Sequence, residues 1–199
     1  GLILAPFSAF AQGFEIVLQN DNLLKLGAKE FASEINQQNL ACFVGTRDDF
    51  ERVMSICGSS QTLQIPKVAL VECCSIEEAS DDFLHKIKKF FKADEVIVFR
   101  GPIESCFMVT YRTITNTQSI PLPYTGLKVV GDRGTYDAKI LSRGMRGNLK
   151  LRGPHVTPYY HSNAGLLTEF QDEFGWVATS RDARIESNGS WTSMKAQIY

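Results

Sequence analysis

Polar and ionisable residues gather at two places where a predicted strand ends. Residues 72–75 (Glu-Cys-Cys-Ser) follow the apolar run 67–71, and residues 100–104 (Arg-Gly-Pro-Ile-Glu) follow the run 95–99. Ligands of open α/β sheets bind beyond the carboxyl ends of the strands, so these segments are the first candidates for a binding site. Taken alone, Glu104 would be a solvated strand-end carboxylate and Arg100 a surface charge.

The elements that must position these segments alternate along residues 1–104. Apolar residues at helical spacing predict amphipathic helices, and short apolar runs predict buried strands. Thr46 is predicted to cap one helix, and Ser75 with Glu78 three residues later has the form of a capping box. Together these patterns predict an α/β fold in which helices flank a mostly parallel sheet. The predicted helices are 2–12, 28–38, 47–57 and the segment after Ser75, and the predicted strands are 14–18, 40–44, 67–71 and 95–99.

The second part of the chain changes to short strands separated by turn residues. Residues 107–114 alternate in polarity and are rich in Thr, Val and Tyr, which favours a strand. Further strands are predicted at 127–130, 149–152 and 176–179, with an extended segment at 120–123. This pattern predicts a small, β-barrel-like all-β subdomain. The boundary falls near residues 118–125, which gives an α/β subdomain over 1–118 and a β-rich subdomain over 119–199.

Charge and composition exclude several classes of function. The net charge is −1, so there is no basic field that would hold a nucleic-acid backbone. The longest apolar runs, such as residues 2–7, are far shorter than the roughly 20 residues of a membrane span. There is no charged segment followed by a cleavage site, so no secretory signal is predicted and a cytoplasmic location is expected.

The cysteines and histidines do not form a metal-binding pattern. The chain has five cysteines at irregular spacing, and the adjacent Cys73 and Cys74 match neither a redox motif nor a usual zinc pair. Buried, reduced thiols are therefore expected. The three histidines are scattered, and none lies at ligand spacing from a cysteine or carboxylate.

Several ordered motifs together resemble one family. Residues 147–154 (GNLKLRGP) are similar to a G-E-L-x-x-R-G-P motif, and residues 170–181 (FQDEFGWVATSR) to F-x-D-x-G-W-x-x-T-G-D. Upstream, residues 100–104 resemble Y-G-x-T-E, and residues 120–123 resemble part of G-x-P-L-P-G. In this order and spacing the motifs resemble the adenylate-forming superfamily, which includes acyl-CoA synthetases, the amino-acid-activating domains of nonribosomal peptide synthetases, and beetle luciferases.

The resemblance implies a position within a larger enzyme. The chain corresponds to the second half of the family's large N-terminal domain. A phosphate-binding loop is expected upstream of it, and a small domain with a catalytic lysine downstream. The implied reaction joins a small carboxylate substrate to ATP, giving an acyl-adenylate and pyrophosphate, with ATP or AMP and magnesium as cofactors. The isolated chain is expected to be inactive, and self-association or packing against the missing half-domain is expected.

The resemblance also implies roles for the residues of the 100–104 segment. Glu104 corresponds to a glutamate that contacts magnesium, for which a carboxylate is a suitable ligand. Gly101 corresponds to a glycine that lets the backbone approach the nucleotide, and Pro102 lies beside it. Arg100 replaces an aromatic residue that stacks on adenine, which a guanidinium can also do. Ile103 replaces a threonine and offers no hydroxyl to phosphate.

Further departures from the family motifs fall at other nucleotide positions. Cys73 and Cys74 replace glycines near adenine, adding side chains where the backbone should be close. Arg181 stands where an aspartate would accept the ribose hydroxyls, and Asp182 comes one residue later. A one-residue shift turns a strand side chain to the opposite face, so Asp182 can substitute only if a bulge intervenes. Two hypotheses follow: a fragment of an ATP-dependent, AMP-forming carboxylate ligase, or a noncatalytic interaction module that has lost nucleotide chemistry.

Overall fold

The computed structural model describes most of the chain, with gaps. The described residues are 26–58, 61–73, 78–131, 139–157, 159–161, 167–169, 171–187 and 189–195. The predicted helix 2–12 and strand 14–18 lie outside these residues. The described residues form two compact units. The first contains residues up to 72 together with 78–98 and 113–115, and the second contains Cys73, residues 99–112 and the residues from 116 onward.

The described residues of the first unit form α1 (Ala28–Gln37), α2 (Arg47–Cys57) and α3 (Asp81–Phe90). The predicted cap of α2 is confirmed, because the Thr46 hydroxyl accepts a hydrogen bond from the Asp49 N–H. The Asp49 carboxylate in turn accepts from the Thr46 N–H at 2.8 Å. This reciprocal pair satisfies two backbone donors that the first turn of a helix leaves open.

The predicted start of α3 is wrong. The helix begins at Asp81, and its cap is Ser80, whose hydroxyl accepts from the Phe83 N–H at 3.3 Å. Ser75 lies outside the described residues, and Glu78 precedes the helix. Ser80 succeeds as the cap because Asp81 and Asp82 follow it directly, and acidic side chains in a first turn are favoured by the helix dipole.

Five described strands form the first sheet: β1 (Cys42–Gly45), β2 (Lys67–Cys73), β3 (Glu95–Gly101), β4 (Thr110–Thr113) and β5 (Ile120–Pro121). Their order across the sheet is the same as their order along the chain. β1 and β2 are parallel, with Phe43 opposite Val68. β4 and β5 are antiparallel, with Thr110 opposite Pro121. The sheet therefore combines the expected parallel pairing with an antiparallel edge.

The core of the first unit is aromatic at its centre. Phe91 is fully buried, and its ring centroid lies 5.0 to 5.4 Å from those of Phe90, Phe43 and Phe50. The apolar faces of the helices and the strand side chains surround this cluster. One face of each helix packs into this dense core and must therefore be apolar. This requirement accounts for the apolar residues at helical spacing in the sequence.

The remaining strands form two further sheets: β6 (Gly126–Val130), β7 (Arg146–Arg152), β8 (Tyr159–His161), β9 (Leu167–Glu169), β10 (Val177–Ile185) and β11 (Trp191–Lys195). Four of them pair antiparallel in the order β11-β10-β7-β6, and β8 pairs with β9. Within the described residues the sheets are open, so the barrel-like interpretation is corrected. Four strands are too few to close around a packed interior, for which about eight are usual.

A buried tryptophan holds the second unit together. Trp191 of β11 is 6% exposed, and its indole N–H donates to the Thr110 hydroxyl of β4 at 2.9 Å. Leu149, Leu151 and Val177 form the apolar core beneath it. None of the helices that the structure describes has the length and apolar character needed to cross a membrane.

A strained turn separates β5 from β6. The Thr125 N–H donates to the Leu122 carbonyl oxygen at 3.1 Å, with Pro123 and Tyr124 between them. Tyr124 has a φ of 62° and is 89% exposed. Proline followed by a positive φ defines a type II turn, in which glycine is preferred at the third position. Tyr124 occupies the position of the last glycine in G-x-P-L-P-G.

We expect Tyr124→Gly to raise the free energy of unfolding by about 0.5–1 kcal/mol, because relief of the left-handed strain exceeds the added freedom of the unfolded chain. Urea denaturation checks this. Tyr124→Ala is the matched control, since it removes the exposed ring but retains the Cβ. An equal gain in both variants would contradict the account.

Candidate functional site

The segment 100–104 comprises the last two residues of β3, Arg100 and Gly101, and the start of the tightly hydrogen-bonded loop that follows. A 3-10 helix spans Ile103–Ser105, and the Ser105 hydroxyl donates to the Pro102 carbonyl oxygen at 2.9 Å. The Phe107 N–H donates to the same oxygen at 3.1 Å, and the Val109 N–H donates to the Arg100 oxygen at 3.1 Å. The loop therefore folds back on itself before β4 begins.

The close approach of the chain to itself requires a glycine at position 101. A Cβ at this position would lie 2.8 Å from the Ser105 hydroxyl oxygen, and 2.9 Å from backbone atoms of Phe107 and Val109. Two of these three contacts are with backbone, so a side chain would displace the loop. The glycine predicted from the family motif thus has a packing role in the chain itself.

Glu104 is buried within the loop. It is 2% exposed, and its backbone oxygen accepts from the Thr157 N–H at 2.8 Å, which fixes the loop to the segment after β7. The carboxylate therefore is not the solvated strand-end group that the sequence alone suggests. A buried carboxylate is costly unless hydrogen bonds or a cation compensate its charge.

The neighbours of Glu104 differ in exposure. Arg100 is 9% exposed, which overturns its interpretation as a surface charge. Ile103 is 62% exposed and presents only an aliphatic side chain. The loop therefore presents an apolar surface where the family motif has a hydroxyl, and it holds its guanidinium inside.

The other predicted nucleotide residues lie on β10, where the strand register is irregular. Ala178 lies opposite Lys150, whereas Asp182 lies opposite Asn148, so β10 gains two residues relative to β7. The Arg181 N–H donates to the Thr179 hydroxyl at 3.2 Å, which in turn donates to the Leu149 oxygen at 3.0 Å. Because the gain is an even number of residues, it leaves Asp182 on the face opposite that of Arg181, and the one-residue bulge that the sequence argument required is not what this register shows.

Asp182 already has a cationic partner. Its Oδ2 accepts from Arg146 Nε at 3.3 Å and from Arg146 Nη2 at 3.0 Å. The Asp182 side chain is 13% exposed and that of Arg146 37%. Any ligand hydroxyl that approached this carboxylate would share it with the guanidinium.

The cysteines say little about nucleotide binding. Cys73 ends β2, and Cys74 lies outside the described residues. Cys42, Cys57 and Cys106 are free thiols. Burial raises the pKa of the Cys57 thiol, which keeps it protonated and inert. Cys42 is exposed, so the expectation of buried thiols is wrong there.

Sequence reasoning missed a cluster of charged residues on β6 and β7. Lys150 Nζ lies 3.5 Å from Asp172 Oδ2, and the two side chains are 9% and 8% exposed. Asp172 Oδ1 accepts from the N–H groups of Phe174 and Trp176 at 3.1 and 2.9 Å. Lys128 lies opposite Lys150, with its ammonium 4.2 Å from the Trp176 ring centroid. The sequence does place Lys128 and Lys150 on two predicted strands, but it does not show that these strands are neighbours with the two lysines opposite each other.

A histidine links two loops of the same unit. His155 Nε2 lies 3.3 Å from the Thr125 hydroxyl oxygen. Burial lowers the pKa of His155, and a hydrogen bond with the Met108 backbone partly opposes this shift. The ring is therefore neutral near pH 7, as a structural histidine would be.

Comparisons with known proteins identify the architecture. No protein-family model matches the chain, and no curated protein matches it. Among solved structures, the chain is similar to o-succinylbenzoate coenzyme A synthetase from Bacillus subtilis in complex with AMP, with a TM-score of 0.69 and 14% identity over 97% of this chain and 38% of that one. A second structure of that synthetase contains ATP and a magnesium ion.

Two further ligases show the same similarity. A long-chain-fatty-acid-CoA ligase from Archaeoglobus fulgidus gives a TM-score of 0.61 and 17% identity, over 85% of this chain and 37% of that one. A benzoate CoA ligase from Burkholderia xenovorans gives 0.60 and 11%, over 84% and 34%. The chain thus spans less than two fifths of each of these ligases.

The chain therefore has the fold of the corresponding part of these CoA ligases, which is the fold that the ordered motifs predicted.

Proposed function

We propose that the chain is part of an AMP-forming carboxylate–coenzyme A ligase. The observation that carries the proposal is the similarity over 97% of the chain to a synthetase that holds AMP. In such a reaction the carboxylate attacks the α-phosphate of ATP and releases pyrophosphate. The thiol of coenzyme A then displaces AMP from the acyl-adenylate.

The loop of residues 100–104 is the proposed nucleotide contact of this chain. Its backbone is held by internal hydrogen bonds, so it would present the nucleotide with a fixed surface. Arg100, Gly101, Pro102 and Ile103 occupy the positions that the family motif assigns to nucleotide binding, as do Cys73 and Cys74. Rigid positioning is what adenylation requires, because catalysis depends mainly on orientation and charge stabilisation.

Glu104 is the proposed magnesium contact. The structure describes no cluster of three or more side chains that could hold a metal by themselves. Magnesium bound to a nucleotide commonly takes only one or two protein carboxylates, the other ligands being phosphate oxygens and water. A single carboxylate held within the loop fits that arrangement, and bound magnesium would stabilise the charge developing on phosphate.

Asp182 is the proposed acceptor for the ribose hydroxyls. The support for this role is that Asp182 is the carboxylate next in sequence to the motif position and that its side chain is 13% exposed. The free thiols of Cys42, Cys57 and Cys106 support a cytoplasmic location. Packing against another half-domain or another copy is a further part of the proposal.

A second candidate is a noncatalytic module on the same scaffold. The specific observation in its favour is the ion pair between Arg146 and Asp182, which occupies the proposed ribose acceptor. The exposed aliphatic side chain of Ile103 adds to it. In that case the chain would keep the ligase fold for interaction or regulation.

Isothermal calorimetry with AMP distinguishes these functions. For the ligase function we expect the chain to bind AMP with a Kd of about 0.1 mM, and Asp182→Asn to weaken binding about tenfold, since it removes a charge-assisted acceptor. Glu186→Gln is the matched control, because it removes the carboxylate partner, at 2.6 Å, of a different arginine, Arg184 of β10. Absence of binding at millimolar AMP would support the noncatalytic module.

A further inference from the structure

A second pocket opens beside the turn that joins β5 to β6. Its volume is about 630 Å³. The lining comes from this turn, from the end of β7 and from the turn before β10, and it includes Tyr124, Gly126, Arg152, Gln171, Gly175 and Trp176. These residues all belong to the second unit and are separate from the proposed nucleotide contacts.

The indole of Trp176 forms one wall of this pocket, because Gly126 leaves room for it. A Cβ at position 126 would lie 2.9 Å from the indole and 3.4 Å from the Arg152 Cβ, so the glycine lets the ring lie close to the strand. The Lys128 ammonium lies 4.2 Å from the centroid of the same ring. The indole is therefore held against β6 with a positive charge beside it.

Arg152 brings a second positive charge to the pocket. It lies opposite Gly126 in the strand register, and its Nε would lie 3.6 Å from a Cβ at position 175. Among the described residues that line the pocket none is acidic, and within the described part of the chain no carboxylate forms an ion pair with Arg152. A planar guanidinium without a carboxylate partner favours a carboxylate or phosphate group of a ligand.

Tyr124 places an aromatic ring at the same pocket despite a strained backbone. Its φ of 62° lies in the left-handed region, and the residue is 89% exposed. No packing of the ring against the protein explains a tyrosine with so little burial. Strained residues cluster at ligand-binding sites, so an exposed ring held in this way indicates a role in binding.

We propose that this pocket binds a planar aromatic ring that carries an oxyanion, with the oxyanion on Arg152 and the ring against Trp176 and Tyr124. The guanidinium would donate two parallel hydrogen bonds to a carboxylate or a phosphate. The two aromatic side chains would stack on the ring of the ligand. The volume is in the range of small-molecule sites. The proposal is independent of nucleotide binding by the loop after β3, since it uses none of the same residues.

The test is a nuclear magnetic resonance titration of the 199-residue chain with 2-naphthoate and, separately, with 2-naphthyl phosphate. The chain has two tryptophans, and the indole N–H of Trp191 is the internal reference, because it is buried and donates to the Thr110 hydroxyl. We expect the indole N–H signal of Trp176 to shift while that of Trp191 stays in place. The tighter of the two ligands identifies the preferred oxyanion.

Neutral 2-naphthamide is the matched ligand control, since it keeps the ring and loses the charge. We expect it to bind at least about tenfold more weakly than the better anion, because hydrogen bonds to charged groups are the strong ones. Equal binding of the amide would overturn the proposal. So would the absence of a Trp176 shift with both anions at millimolar concentration, or binding that shifts only Trp191.

An arginine variant tests the oxyanion contact. Arg152→Met should weaken binding of the better anion about tenfold, because the charged donor is lost. Arg184→Met is the control; it removes another arginine of the same sheet, whose side chain is 45% exposed, and should leave binding unchanged. Unchanged binding by a folded Arg152→Met protein would overturn the proposal. The comparison of the anions with the amide decides it even if this variant does not fold.

A tyrosine variant tests the ring contact separately from folding. Tyr124→Gly should weaken binding about threefold, because one stacking partner is lost, although the same change is expected to stabilise the chain. Tyr124→Phe retains the ring and should bind like the unmodified chain. Equal binding by Tyr124→Gly and Tyr124→Phe would show that the strained tyrosine takes no part in the site.

Discussion

Replacing Asp172 with alanine is expected to lower the free energy of unfolding by about 3–5 kcal/mol, because removal of one partner leaves the other charge of a buried pair uncompensated. The side chains of Asp172 and Lys150 are both less than a tenth exposed. Asp172 also accepts the N–H groups of Phe174 and Trp176, which would lose their partner. Denaturant unfolding followed by tryptophan fluorescence measures the change, since Trp176 and Trp191 both lie in the second unit.

The matched control is Glu173→Ala. Glu173 is the next residue in the chain and is exposed, so its removal should change stability by less than about 0.5 kcal/mol. The double replacement Lys150→Met, Asp172→Leu should be more stable than Asp172→Ala, because it removes both charges together. A loss in Asp172→Ala as small as that of the control would show that the pair is solvated.

Phe91→Ala is expected to destabilise the first unit by about 3–5 kcal/mol through loss of burial and creation of a cavity. Phe91 is fully buried and contacts the rings of three other phenylalanines, Phe43, Phe50 and Phe90. Such a compact aromatic group collapses poorly after truncation, so the cavity should persist.

Helical circular dichroism measures this loss, because the α-helices that the structure describes, α1 to α3, belong to the first unit. Phe174→Ala is the control; that ring is 63% exposed and should contribute less than about 0.5 kcal/mol. If both replacements gave the same midpoint of unfolding, the aromatic cluster would not be the centre of the core.

The helices could be predicted from the sequence because local chemistry determines them. Thr46 and Asp49 lie at the spacing of a capping box, and α1 and α2 form over the residues that their apolar spacing predicts. The start of α3 was predicted wrongly because Ser75 with Glu78 and Ser80 with Asp81 offer competing caps. The acidic side chains of Asp81 and Asp82 directly after Ser80 favour Ser80, a signal that the sequence contains and that the capping-box interpretation left out.

Most of the predicted strands that fall on described residues were located correctly, but β8, β9 and β11 were not predicted, and the extent and closure of the strands were not predicted correctly. β7 begins at Arg146 and β10 continues to Ile185, each longer than the apolar runs that predicted them. The exposed residues Arg146 and Arg184 lie in these extensions. Strand pairing forms hydrogen bonds between backbone N–H and C=O groups, so a strand can continue through polar residues. Closure into a barrel depends on pairing between distant strands, which short-range patterns do not determine.

The candidate site was predicted in part. The segment 100–104 lies at the end of a strand, but Arg100 and Gly101 belong to β3, which extends two residues beyond the predicted run. The burial of Arg100 and Glu104 depends on how the chain folds back at Gly101. The register irregularity before Asp182 and the ion pair of Asp182 with Arg146 depend on contacts across strands. The same holds for Lys128, whose environment comes from β7 and from the turn at Trp176.

Nuclear magnetic resonance of the chain during titration with AMP tests the central claim most directly. The claim is that the loop after β3 and the irregular part of β10 contact a nucleotide. We predict that the amide signals of Gly101, Glu104 and Asp182 shift on AMP addition, while that of Phe31 in α1 stays unchanged. Absence of shifts at saturating AMP, or shifts confined to the helices of the first unit, would contradict the account.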